Sequence, residues 1–190
     1  MKNINRPEAE AIHRASLELL ENPGCRLEHE GIRQRLIKAG ALETSHPEVL
    51  RFPRKLVEEL LALAPREVRF DGRGNAASHT LTPDSKSIVW SVPGMNILEN
   101  KIHRPFTSRD MGRMAALFDT LDQIDGVFGM SLADVEPQFR DVAGLLAMAE
   151  NTGKHLRVLC LSVRGGEKQR SILDAFPGNW FRVGYTAHGP

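Results

Sequence analysis

The chain has 190 residues, with 25 Lys+Arg against 24 Asp+Glu and a formal net charge of +1. That balance argues against a protein built to coat nucleic acid or an anionic membrane, since both call for a clustered basic excess. Hydrophobic residues make up 41% and charged residues 26%, which excludes wholesale disorder.

No apolar run reaches the ~18 residues of a membrane helix. The N-terminus lacks the apolar block of a signal peptide, and Cys25 and Cys160 make no redox or metal spacing. The expectation is a cytoplasmic protein with no nucleic-acid or membrane partner and no bound metal.

Residues 7–22 read as an amphipathic helix. Ile12, Ala15, Leu19 and Leu20 form its stripe, Glu10, Arg14, Glu18 and Glu21 face away, and Pro23-Gly24 stops it. A second helix is predicted over 28–39, striped by Ile32, Leu36 and Ala39, with Gly40 as a left-handed cap. A short extended piece, 49–52, precedes a third helix over 53–64 that buries Leu56, Val57, Leu60 and Leu61 and closes at Pro65. Three short stripes bury little by themselves, so these helices are expected to layer over later strands.

The period then turns to alternation. Strands are predicted at 68–70 and 87–92, with a polar loop over 73–85 between them. A hairpin is predicted through Ile97-Leu98 and Lys101-Ile102-His103, turning at Glu99-Asn100. Thr107 starts a helix to about 121, with Asp110 answering as in a capping box. A strand over 124–130, a helix over 135–150 striped by Phe139, Val142, Ala143, Leu146 and Ala149, a strand over 156–163 and a helix over 166–176 complete the chain. This alternation predicts parallel βα units.

Chemistry-bearing motifs are few. His29-Glu30 has no second histidine at zinc spacing, and Asp71-Gly72-Arg73-Gly74-Asn75 lacks the P-loop lysine, so it reads as a turn. Gly126 and Gly129 lie within a strand, where close packing explains them. Arg164-Gly165-Gly166 opens a helix and offers amides to an anion. Cys160 reads as a core residue.

Two places carry more weight. Trp90 precedes a Pro93-Gly94 break, and Ser131 and Asp134 follow a strand end, where parallel βα folds build their sites. Trp90, Ser131 and Asp134 are therefore the candidate substrate-binding residues. Core filling for Trp90 and helix capping for Asp134 are the competing readings.

Four stretches, in order, resemble the trimethylamine methyltransferase family, the corrinoid-dependent enzymes that also include glycine betaine methyltransferases. Ile12-His13-Arg14-Ala15-Ser16-Leu17-Glu18-Leu19-Leu20 through Gly24 is similar to the family's opening helix. Phe52-Pro53-Arg54-Lys55-Leu56 through Ala64-Pro65-Arg66 resembles its third helix. Arg104-Pro105-Phe106-Thr107 resembles the junction into the barrel helices, and Glu150-Asn151-Thr152-Gly153-Lys154 an Asn-Thr-x-Lys turn before a barrel strand. The resemblance runs from about residue 7 to about 165.

It implies an α/β fold: a partial TIM barrel preceded by a helical extension with a small β region, in segments 1–65, 66–106 and 107–190. A whole barrel needs ~250 residues, so the piece is expected to be the N-terminal part of a longer enzyme, inactive by itself. The implied reaction moves a methyl group from a methylated amine to a corrinoid on a partner protein, with no cofactor bound directly. Aromatic faces and carboxylates suit a methylammonium cation, and Trp90 and Asp134 are of that type. Further expectations are a corrinoid protein partner, a small methylated amine substrate and self-association into a homo-oligomer. The alternative is a non-catalytic α/β interaction module derived from the family. An S-adenosylmethionine enzyme is disfavoured, because no Gly-rich loop follows the first strand of the βα region.

Overall fold

The computed structural model describes residues 4–91, 94–129, 131–160 and 162–184. Val92, Pro93, Met130 and Leu161, which fall in the predicted strands and the Pro-Gly break, lie outside the described residues. The chain is mixed α/β and divides into two compact units, Met1–Pro65 and Arg66–Pro190.

The first unit opens with α1 (Arg6–Glu21). Asn5 caps it: its side chain accepts from the Glu8 amide at 3.0 Å, and Glu8 accepts from the Asn5 amide at 3.0 Å. Gly24 ends the turn after it with φ 74°, and a Cβ there would collide with the Leu50 carbonyl, so only glycine fits. β1 (Cys25–Arg26) follows. α2 (Glu30–Ala39) begins on the His29 ring, whose Nδ1 accepts from Ile32, and stops at left-handed Gly40. β2 (Leu42–Glu43) and β3 (Val49–Arg51) complete a small antiparallel sheet of order β1-β3-β2, and α3 (Arg54–Ala62) follows.

The core of this unit is Ala41, Leu50 and Leu56, with Leu27, Leu36, Ile37 and Phe52 packed on it. The predicted stripe of α1 is only partly inside. Leu17 is its buried residue, while Ile12 is 56% and Leu19 64% exposed. At 100° per residue, Ile12, Ala15 and Leu19 share one face and Leu17 and Leu20 another. The helix has two apolar faces, and α1 packs against its neighbours by the second. Leu60 and Leu61 of α3, also predicted inside, are exposed as well.

The second unit starts with an antiparallel pair, β4 (Val68–Phe70) and β5 (His79–Leu81). β5 falls in the predicted loop; its three residues are too few to show alternation, and pairing with β4 makes them a strand. β6 (Asn96–Glu99) and β7 (Ile102–Pro105) form the predicted hairpin, its turn made by Asn100 and Lys101 at φ 51° and 65°.

α4 (Ser108–Asp119) carries the expected capping box of Thr107 and Asp110. β8 (Gly126–Phe128), α5 (Arg140–Ala149), β9 (His155–Leu159), α6 (Val163–Ala175) and β10 (Phe181–Gly184) then alternate. The predicted strand over 156–163 thus ends early, and its last residues open α6, capped by the Ser162 hydroxyl. The sequence carried no expectation for β10.

β8, β9 and β10 form a parallel sheet in the order β10-β9-β8. Trp90 adds a parallel bridge to Gly126 at its β8 edge. The core is built on this sheet and includes Phe106, Met111, Val127, Leu132, Leu145, Met148, Leu156, Val158, Trp180 and Phe181.

α5 turns the opposite way from the predicted stripe. Asp141, Gly144, Leu145 and Met148 are buried, while Phe139 and Leu146 are 54% and 45% exposed. Like α1, it has two apolar faces; the Leu145–Met148 face is buried in the core, while Ala143 and Ala149 of the predicted stripe pack at its margin.

Candidate functional site at the carboxyl ends of the parallel strands

Two of the stretches that carry the family resemblance prove to be scaffolding. Arg104 holds Asp110 through both guanidinium nitrogens, at 2.6 and 2.8 Å, and also reaches Glu99 at 2.9 Å. The guanidinium and the Thr107 hydroxyl together hold the Asp110 carboxyl well below the usual carboxylate range. Phe106, fully buried, anchors this corner.

In the turn before β9, Lys154 Nζ donates to the carbonyls of Phe118, Leu121 and Ile124, each at 2.7 Å, and so ties down the last turn of α4 and the segment that leads from it to β8. Thr152 donates to the Asp119 carboxylate at 2.6 Å. Arg73, from the glycine-rich turn, donates to the carbonyls of Ala149 and Thr152 at 2.7 and 2.6 Å, ending α5. These residues fix where the parallel strands begin.

A cavity of about 350 Å3 lies at the other ends of those strands. Gly129 and Ser131 follow β8 into it, Val158 and Leu159 close β9 against it, and Gly94 and Met95 follow the Trp90 segment. α5 supplies Arg140, Asp141, Leu145 and Met148. Gly129 is small because a Cβ there would stand 2.8 Å from the Met148 methyl, so the glycine serves close packing. The volume lies within the range of small-ligand clefts, and its place is where parallel βα folds bind ligands.

Ser131 lines this cavity, its amide donating to the Gly94 carbonyl at 3.2 Å. Asp134 does not. Its carboxylate accepts from the Ser108 amide at 2.8 Å and the Ser108 hydroxyl at 2.6 Å, which depress its pKa and pin the start of α4. The capping reading holds for Asp134, for a helix earlier in the chain than the one that follows it.

Trp90 lies at the amino ends of the strands. Its ring meets Phe70 and His155 edge-on, with centroids 5.6 Å away in each case, and covers Gly126, where a Cβ would collide with it. Those rings pack edge to face on one another, and Trp90 does not line the cavity. The structure therefore separates Trp90 from Ser131.

The residue that sequence reasoning missed is Asp141. It lies off the predicted apolar stripe of α5, yet it is 6% exposed. Its carboxylate accepts from the Val142 amide at 2.9 Å and rests against Gly165, in the first turn of α6. The signal was available: Asp141, Gly144, Leu145 and Met148 recur at helical spacing, with glycine marking a close approach. The Gly165 and Gly166 amides donate to the Ser162 hydroxyl and carbonyl, at 3.0 Å each, at the helix start where the sequence suggested an external anion. Among the described residues no three His, Cys, Asp or Glu gather to hold a metal ion. No helix there is long and apolar enough to cross a membrane.

Parallel strands joined by helices, with a small cleft at their carboxyl ends, define an α/β protein. The chain belongs to the trimethylamine methyltransferase (MTTB) family, whose model it matches over residues 1–182. It is 27% identical over 169 residues to trimethylamine methyltransferase MttB of Desulfitobacterium hafniense (strain DSM 10664 / DCB-2), covering 87% of this chain and 34% of that protein. It is 26% identical over 179 residues to MttB of Methanosarcina barkeri, covering 90% of this chain and 36% of that one. Over 156 residues it is 27% identical to MttB of Methanosarcina thermophila. The chain spans about a third of the length of the curated relatives it matches.

Proposed function

We propose that the second unit is the beginning of a TIM barrel, and that the chain contributes it to an enzyme that moves a methyl group from a methylated amine to a corrinoid carried on a partner protein. Family membership over residues 1–182 supports the reaction class. The observation that carries the site is the cavity at the strand carboxyl ends, with apolar walls of Met95, Leu145, Met148, Val158 and Leu159.

The chemistry asks little covalent work of the protein. A methyl group on a positively charged nitrogen leaves that nitrogen as a neutral amine when a reduced corrinoid takes it. The C–N bond breaks, its electron pair stays on nitrogen, and a carbon–cobalt bond forms. The protein must orient the amine and keep water out. The corrinoid enters as a substrate on another protein; a cavity this small takes the amine and not a corrin ring.

The parallel sheet of the described residues has open edges, and a barrel site draws on strand ends around a closed ring. The 190-residue chain alone is therefore expected to bind a methylated amine weakly and to show no turnover. The test is an NMR titration of the chain with trimethylammonium and with glycine betaine, beside a cobalt-methylation assay with reduced corrinoid protein. Shifts at Ser131, Leu145 and Val158 without cobalt methylation are expected. No response at these residues would remove the site and leave the non-catalytic interaction module.

A further inference from the structure

We propose that Asp141 is the group that recognises the positive charge of the methylated nitrogen, and that Gly165 sets its position. The inference rests on the amine-binding reading of the cavity and goes beyond it by assigning the specificity. Asp141 lines the cavity from α5, beside Arg140, Gly144 and the apolar Leu145 and Met148. A methylammonium ion entering such walls loses water that they cannot replace, and a fixed carboxylate is the compensation available. A neutral molecule of the same shape needs no such partner.

The carboxylate is held in place by the backbone. It accepts from the Val142 amide at 2.9 Å, and it lies against Gly165 so closely that a Cβ would collide with its oxygens. Gly165 occupies the first turn of α6, where the aligned peptide dipoles favour negative charge. Glycine costs helix stability at such a position, and the space it leaves is filled by Asp141. Arg140 also lines the cavity and has the opposite sign. Its Nε donates to the Val135 carbonyl at 2.9 Å, and it is only half-buried where Asp141 is buried.

The test uses the 190-residue chain and three probes of one shape: tetramethylammonium, tert-butanol and pivalate, carrying positive, zero and negative charge. Affinities are read by NMR titration. The wild-type chain is expected to bind the cation most tightly, roughly tenfold above the neutral probe, as for a charge facing a partly buried partner, and the anion least.

Asp141→Asn keeps the shape and removes the charge; the cation preference is expected to collapse while tert-butanol binding stays. Gly165→Ala keeps the charge but displaces it. It is expected to lower the cation preference even though alanine is the better helix former. Pivalate binding as tightly as tetramethylammonium to the wild-type chain would overturn the inference without any variant, and would assign the charge selection to Arg140. An unchanged cation preference in Asp141→Asn would overturn it too, with the cavity reading intact. If none of the three probes binds the folded wild-type chain, it is the amine-binding reading itself that fails.

Discussion

The two units solve the problem of stability differently. In the first, Leu17, Ala41, Leu50 and Leu56 are the buried apolar residues, against eight large ones left exposed among the described residues, from Ile4 to Leu63. In the second, eleven apolar residues form one cluster on the parallel sheet. The first unit is held by local devices: a capping box at Asn5, a histidine cap at His29, and glycines at the two turns that need positive φ. The second adds polar ties between elements distant in sequence, through Lys154, Thr152 and Arg73. A site can be built where such ties fix the strand ends, and the cavity lies on the sheet they support.

The sharpest way to break this comparison is to cut each core once. Phe106→Ala in the second unit is expected to cost about 3–5 kcal/mol, the range for a fully buried aromatic ring. Leu50→Ala in the first is expected to cost about 2–4 kcal/mol, toward the lower end if the thin core collapses into the space. Urea unfolding followed by circular dichroism, with amide exchange read separately for the two units, checks both. Phe106→Ala should loosen exchange in residues 66–184 first. Equal loosening of both units by either substitution would contradict the division.

A smaller effect sharpens the role of the long-range ties. Lys154→Met keeps the stem and removes three hydrogen bonds, one to the Phe118 carbonyl in the last turn of α4 and two to the Leu121 and Ile124 carbonyls after it. The expected loss is about 1–2 kcal/mol, since the freed carbonyls are partly open to water. Amide exchange should quicken in the last turn of α4, and unchanged exchange there would show that the lysine is ornamental.

His155 provides a pH dependence confined to the second unit. Its ring is fully buried against Phe70 and Trp90, and its Nδ1 lies 3.1 Å from the Asp71 carbonyl. Burial lowers its pKa, which outweighs the Asp71 carbonyl's pull the other way. The folded state therefore binds a proton less readily than the unfolded chain. The stability from the neutral ring is present above the ordinary histidine value of about 6.5 and is lost as pH falls through the lowered folded value. Thermal unfolding between pH 8 and pH 5 should show a decline that His155→Phe flattens, and the same slope in both proteins would exclude the histidine as its source.

Much of the fold was legible in the residues. The cap at Thr107, the hairpin turn at Asn100 and the alternation after residue 107 are local signals, written in neighbouring side chains. The place of Ser131 beside the candidate cavity was legible because it follows the end of a parallel strand. What was illegible depends on partners far away in the chain. β5 exists because β4 pairs with it. The role of Trp90 was set by Gly126 and His155, and that of Asp134 by Ser108, 26 residues earlier. Asp141 was hidden because a charged residue on a helix is ordinarily solvated, and only Gly165 on another helix makes room for it.

The smallest effects test the orientation of the two-faced helices. Ile12 and Phe139 headed predicted core stripes, yet each is more than half exposed, at 56% and 54%. If the stripes had packed as the periodicity suggested, Ile12→Ser and Phe139→Ser would each empty a core site and cost several kcal/mol. With the helices turned as observed, each is a surface change, expected to fall within about 0.5 kcal/mol. The matched substitutions on the inward faces, Leu17→Ala and Leu145→Ala, should each cost about 2–4 kcal/mol, because both side chains are nearly inaccessible. The ratio within each pair is the decisive quantity, since both members share a helix and its propensity. Losses of equal size within a pair would mean that the outward face is covered in solution, and that the helix buries both of its apolar sides.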